Sequence, residues 1–91
     1  MEADIWYVLA GTRGGTNRVR VVELLVEEPR NANRIAEVLD LDYKTVRHHL
    51  DVLCEHEVVE RADDDYGAQY RLTDEALEHR STIDAVIETV G

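Results

Sequence analysis

The chain has one cysteine, one lysine and no hydrophobic run approaching the roughly 18 residues that a membrane span requires. A single cysteine, Cys54, excludes an internal disulfide framework and fits a reducing compartment. The opening "MEADIWYVLAG" lacks the basic start of a signal peptide, so a cytoplasmic protein without membrane attachment is expected. There is no internal repeat and no low-complexity tract. No nucleophile, base and orienting acid fall into a catalytic pattern, which argues against an enzyme. Ninety-one residues fit one domain with a modest core, and at that size a partner subunit would be a natural source of stability.

Acid is abundant. Twenty Asp and Glu face ten basic residues, nine of them arginine, for a formal net charge of -10. Such a balance ordinarily disfavours nucleic acid, whose backbone repels it. The excess is uneven, however: residues 1–50 carry eight acids and seven bases, whereas residues 51–91 carry twelve acids and three bases. An acid-rich, lysine-poor composition also resembles that of salt-in halophiles, where at about 1 M salt the Debye length is about 3 Å and only charges in contact count.

The segment "TNRVRVVELLVEEP" offers Thr16 as a helix N-cap and Pro29 as a stop. Val19, Val22, Leu25 and Val26 recur at helical spacing, and Val21 and Leu24 widen the stripe. Its β-branched content leaves a strand as the alternative. In "NANRIAEVL", Asn31 would cap a second helix burying Ala32, Ile35, Ala36 and Leu39. After the turn Asp40-Leu41-Asp42, Asp42 would cap a third helix with Val46, His49, Leu50 and Leu53 on one face. Two short amphipathic helices joined by a three-residue turn are the elements of a helix-turn-helix. Beyond Glu57 the period shortens: "VVERADDDYGAQYRL" reads as two strands around an Asp63–Gly67 turn. Thr73 would then cap a last helix in which Ala76, Ile83 and Val90 fall seven apart, with Val86 and Ile87 between them. Helix, helix, helix, hairpin, helix is the order of a winged helix, a mainly α fold with a small β-hairpin. The expected organisation is one domain over 1–91: an N-terminal segment and elbow at 1–15, helix-turn-helix and wing at 16–72, and a C-terminal dimerisation helix at 73–91.

Lys44, Arg47, His48, Asp51 and Glu55 lie opposite the apolar stripe of the third helix. Donors occupy its first turns and carboxylates the rest, the order expected if only the N-terminal part enters a major groove. Tyr43 and Thr45 add hydroxyls suited to phosphate or base edges. Arginine matches guanine bidentately, worth about 1–3 kcal/mol of discrimination. The plainer reading is a solvated helix face, with Arg47 paired to Asp51 at i+4.

At these residues the chain resembles a known family. "NRIAEVLDLDYKTVRHHLDVLCEHEVV" and the upstream "GTRGGTNRVRVVELL" are similar to winged helix-turn-helix regulators of the arsenical-repressor (ArsR) type, especially their compact haloarchaeal versions. The resemblance spans about residues 11–72, with Thr45, Val46, His49, Leu50 and Leu53 its most specific part. It implies a homodimeric transcription factor that binds double-stranded DNA with the third helix as reader and the hairpin as wing. The reader positions fall on Tyr43, Lys44, Thr45, Arg47 and His48, with His49 at an often-present histidine. Asn31, Arg61 and Arg71 are further candidate DNA contacts. Trp6, Tyr7, Ile83, Val86, Ile87 and Val90 are the expected dimer interface.

Three features depart from the family pattern. Asp40 stands where relatives commonly carry glycine, and aspartate tolerates left-handed φ better than most residues. The wing tip Asp63-Asp64-Asp65 is acidic, leaving Arg61 and Arg71 at the wing base to reach phosphate. Metal sensing lacks its residues. The second helix has no cysteine, His79 and Asp84 are poorly aligned five apart, and His48 and His49 point to different sides. No metal, cofactor or small-molecule effector is therefore expected. Cys54 reads as a half-buried packing residue with a raised pKa. "GTRGG" reads as a flexible elbow rather than a phosphate cradle, with Arg13 a candidate backbone contact. The competing class is a winged helix used for protein contact in a transcription assembly, suggested by the acidic C-terminal half. An RNA-binding winged helix is a third.

Overall fold

A computed structural model describes residues 1–64 and 67–90 of the chain. Its elements are α1 (Glu2–Ala10), α2 (Gly15–Glu27), α3 (Ala32–Leu39), α4 (Tyr43–Glu55), β1 (Val59–Asp64), β2 (Gly67–Leu72), α5 (Asp74–Glu78) and α6 (Arg80–Val90). From α2 onward this is the winged-helix order. Val19, Val22, Ile35, Val46, Leu50 and Leu53 are all at most 1% exposed, so the helical spacing of α2, α3 and α4 does deliver one shared core. Val21 is equally buried, which places α2 at the centre with cover on two sides.

Local side chains set the helix starts. Asn31 accepts a hydrogen bond from the Arg34 amide at 2.7 Å. Asp42 accepts from the Lys44 and Thr45 amides at 3.0 and 3.3 Å, and Thr73 from the Ala76 amide at 3.0 Å. Each satisfies a donor that a helix N-terminus leaves orphaned. Asp40 ends α3 at φ 54, ψ 47, the left-handed cap that a helix-turn-helix bend requires.

The two strands pair antiparallel, with Val59 opposite Leu72, Glu60 opposite Arg71 and Arg61 opposite Tyr70. Two backbone bonds between Arg30 and Tyr70, at 3.1 and 2.8 Å, tie the wing to the loop before α3. At the base of the hairpin, Thr73 donates its amide to the Val58 carbonyl and its hydroxyl to that of Glu57. Residues 65 and 66 lie outside the described residues, so the expectation for the acidic tip holds there only for sequence.

Four expectations need correction. The N-terminal segment is a helix: Ile5, Val8 and Leu9, spaced i, i+3, i+4, are fully buried, and α1 packs on α2 and α6. Helix α2 begins at Gly15 rather than after Thr16, because Gly14, at φ 88, takes the N-cap conformation that a residue with a Cβ resists. The elbow is tightly packed rather than loose, since a Cβ on Gly15 would run into the Leu9 carbonyl oxygen. The last helix is broken at His79 into α5 and α6. Thr73 tethers the start of α5 to the hairpin base, while α6 packs on α1 and α2.

Candidate nucleic-acid interface

Helix α4 starts with its outer face free. Tyr43, Lys44, Thr45 and His48 are exposed, while Val46, His49 and Leu50 turn inward. The two neighbouring histidines therefore do point to different sides, as the 100° step of a helix dictates. Cations and hydroxyls occupy the first half of this face, and Asp51 and Glu55 the second.

Beside that face lies a polar groove of about 200 Å³, lined among others by Asn31, Tyr43, Arg47, Arg61 and Tyr70. It forms where the start of α3, the start of α4 and the inner face of the wing meet. Arg47 donates to the Tyr43 hydroxyl at 3.3 Å, and that contact holds the guanidinium pKa above its ordinary value. The pair with Asp51 is long, 3.9 Å, and the Arg47 Nε–H is buried without an acceptor among the described residues. An exposed contact of this length is weak, so Asp51 leaves Arg47 available for other partners. Lys44 has no ion pair among the described residues.

The two wing arginines separate. Residues directly opposite in an antiparallel pair share a face and the next pair takes the other. Arg61 therefore lies with Tyr70 on the face toward the groove, and Arg71 with Glu60 on the outer face, joined at 2.8 Å. Arg61 contacts Asp63 at 3.2 Å. Asn31 spends its carbonyl oxygen on the cap of α3 and keeps its amide group for other contacts.

Sequence reasoning missed what holds α4 from behind. Arg18 of α2 is 3% exposed and has no carboxylate partner among the described residues. Its Nε donates to the Val8 carbonyl at 2.7 Å, its Nη2 to the Arg13 carbonyl at 2.9 Å and to the Thr12 hydroxyl, and its Nη1 lies 3.2 Å from His49 Nδ1. Arginine can only donate, so His49 Nδ1 accepts and the ring proton sits on Nε2. Burial first, then the Arg18 charge and that of His48, depress the His49 pKa. Val8 O is one of the orphan carbonyls at the end of α1, so the guanidinium also sits where the helix dipole is negative. A Cβ on Gly14 would meet His49 Cε1 at 2.9 Å. Only the three glycines of "GTRGG" and the inward position of His49 hinted at this close packing.

Of the expected interface residues, Ile83 and Val86 are fully buried within the protomer, against α1 and α2, and have no surface to give. Trp6 and Tyr7 are 39% and 54% exposed, and Ile87 and Val90 are half-buried. Cys54 is half-buried, and burial with Asp51 nearby raises its pKa. Among the described residues no three His, Cys, Asp or Glu side chains are grouped closely enough to hold a metal ion. None of the described helices is long and apolar enough to cross a membrane.

The model of a family of unknown function, DUF7342, matches residues 13–89. The chain belongs to DUF7342. No curated protein matches it. The DUF7342 chain is similar in fold to the homodimeric winged helix-turn-helix DNA-binding domain of Mb0332 from Mycobacterium bovis, a possible ArsR-family regulator. The TM-score is 0.76 at 21% identity, covering 94% of this chain and 77% of that one. It is also similar to a MarR family protein from Bacillus stearothermophilus, with a TM-score of 0.70 at 19% identity over 98% and 60% of the two chains. For Lactococcus lactis ZitR, solved as a single-residue mutant, the TM-score is 0.61 at 24% identity over 79% and 54%. The DUF7342 chain thus spans about half the length of ZitR, and these likenesses establish a winged-helix fold.

Proposed function

We propose that this protein is a homodimeric transcriptional regulator that binds double-stranded DNA, with the first half of α4 in the major groove. The observation that carries the reading is the convergence of Tyr43, Arg47, Arg61 and Asn31 on one polar groove, beside the exposed Lys44, Thr45 and His48. A groove at the joint of helix and wing suits a phosphate, and the exposed ridge suits base edges. Mb0332, described as a homodimeric DNA-binding domain, supports the class. The arsenical-repressor type, the haloarchaeal and halophilic origin and the cytoplasmic location belong to the same reading, supported by the "TVRHHLDVL" core and the acidic composition. So does action without a catalytic site, metal or small-molecule effector.

In this reading Trp6, Tyr7, Ile87 and Val90 meet their counterparts across a two-fold axis, and the two α4 helices enter successive major grooves about 34 Å apart. Arg61 joins the phosphate contacts, whereas Arg71 does not. The test is a mobility-shift titration at matched salt on a duplex selected from the source genome, with folding checked by circular dichroism. Lys44→Ala and Arg47→Ala should each weaken binding about tenfold, in keeping with about 1–3 kcal/mol for a base contact. Arg61→Ala should weaken it less and uniformly across sequences, and Arg71→Ala should leave it unchanged. Full-strength binding by the Lys44 and Arg47 variants removes α4 from the site.

A further inference from the structure

The wing has a second face. Glu60 and Arg71 point away from the α4 groove and border another depression of about 450 Å³, formed by the end of α2, the outer wing and α5. Its floor is apolar: Val26, Pro29 and Leu77 line it, and Leu77 is 46% exposed. Its rim is acidic, with Glu27, Glu28 and Asp74. We infer that this groove docks a cationic amphipathic segment of a protein partner, its apolar side chains on Leu77 and Val26 and its lysines or arginines against Glu27, Glu28 and Asp74.

Charge complementarity selects that occupant. Phosphate-bearing ligands, whether nucleic acid or anionic lipid, are repelled by the rim, and a neutral apolar segment would leave carboxylates facing uncompensated surface. Arg30 offsets only part of the rim: it pairs with Glu27 and Glu28 at 3.5 and 3.8 Å, one cation against the three carboxylates of Glu27, Glu28 and Asp74, and both glutamates keep about two thirds of their surface, 64% and 67% exposed. Arg71 gives an internal example of a seated cation, its Nε donating to Glu60 at 2.8 Å. An exposed leucine bordered by Glu27, Glu28 and Asp74 also disfavours a second copy of this acidic chain and favours a basic partner. A volume of about 450 Å³ holds a few side chains, enough for one or two turns of a helix. Because the strand alternation sets this groove opposite the Arg61 face, a partner could dock while DNA is held. Docking here does not depend on DNA binding.

The experiment is an amide-resonance titration of the full chain with an 18-residue amphipathic peptide of lysine and leucine at helical spacing. A peptide with glutamate in place of each lysine serves as the control. The expected result is binding of the lysine peptide alone, with shifts confined to the end of α2, the outer wing and α5. Glu27→Gln/Glu28→Gln/Asp74→Asn and, separately, Leu77→Gln should each weaken it at least tenfold. Leu77 is exposed enough that its variant keeps the fold, which a melting curve verifies. Equal binding of both peptides, shifts spread over the whole surface, affinity unaltered in the folded Leu77→Gln variant, or no binding would each overturn the proposal.

Discussion

Replacing Arg18 by methionine tests the buried cluster behind α4. Methionine keeps most of the length and apolar bulk of the arginine stem, so the loss falls on the guanidinium. Two opposing effects then compete. Wild type holds a cation 3% exposed with no carboxylate nearby among the described residues, which is costly, and removing the charge relieves that cost. Against this, the Val8 carbonyl and His49 Nδ1 lose their donor while staying buried, and each unsatisfied acceptor costs about 1–3 kcal/mol. The Thr12 hydroxyl and Arg13 carbonyl, near the surface, can turn to water. Because removing one partner of a buried set leaves the others behind, the second effect should win by about 2–4 kcal/mol. That is a large share of the about 5–14 kcal/mol expected for a domain of this length. Urea titration should show a lower midpoint at unchanged slope, with melting about 10–20 °C lower. Arg18→Lys, with three donors but no planar fork, should fall between the two. Methionine as stable as arginine would mean that the four contacts merely offset the burial of the charge, and the cluster would then have no part in holding α4.

The same cluster gives a pH dependence. The His49 pKa is depressed in the folded chain, so between the ordinary histidine value and the lower folded one the unfolded chain binds more protons. Stability is complete above about pH 6.5 and declines as pH falls below it, by at most about 1.4 kcal/mol per unit for one site. His49→Gln, which keeps an acceptor, should flatten that slope, and a slope equal to wild type just below about pH 6.5 would reject the assignment. Gly14→Ala should cost about 1–3 kcal/mol, for the positive φ and for the 2.9 Å approach to His49. Gly67→Ala, with φ 105 and nothing within 4 Å of the added Cβ among the described residues, should cost only the φ penalty, so equal melting losses at the two sites would contradict the close packing. For DNA, even with the base-reading Lys44 and Arg47 counted beside Arg61, two protomers allow at most about six phosphate neutralisations and a limiting log–log salt slope of about -5. The measured slope should be shallower, because added salt also relieves repulsion by the acidic surface. A slope steeper than the limit would point to further cationic contacts.

Much of the scaffold was legible because its signals are local. Asn31, Asp42 and Thr73 each bond an amide two or three positions ahead, and Asp40 adopts its left-handed conformation within a single residue. Glu57, the other non-glycine residue at positive φ among the described residues, carried no such signal. Helix α1 was obscured because Trp6 and Tyr7 continue the apolar run of Ile5, Val8 and Leu9 around to the exposed side and blur a short stripe. Arg18 was illegible for a different reason. Its acceptors on Val8 and His49 are 10 and 31 positions away, and an arginine between Asn17 and Val19 reads as surface until the chain is folded. The candidate site divides in the same way. The exposed ridge of α4 followed from helical period alone, whereas the opposite facing of Arg61 and Arg71 depends on the register across the hairpin, which the residues of either strand do not encode singly.

The register also explains how so acidic a chain can present a cationic spot. Moving along a strand by one residue exchanges one face for the other, so Glu60 and Arg71 stand behind Arg61 and Tyr70 instead of among them. On α4 a helix supplies the equivalent separation lengthwise, with Asp51 and Glu55 about two to three turns beyond Lys44. Asp42 is the nearest carboxylate to Lys44 in sequence. It faces the start of α4, where its charge is held by two amides and opposed by the positive end of the helix dipole. The remaining carboxylates are spread over a body 33 by 25 by 21 Å. Those dimensions are several times the Debye length of about 8 Å at physiological ionic strength. Charges on the far wing face and on α6 are therefore screened at the start of α4, and in the proposed DNA complex the sign of the contact is decided by the handful of groups within reach of the phosphates. Reducing the net charge on the far face should accordingly change how quickly a duplex is encountered much more than how tightly it is held.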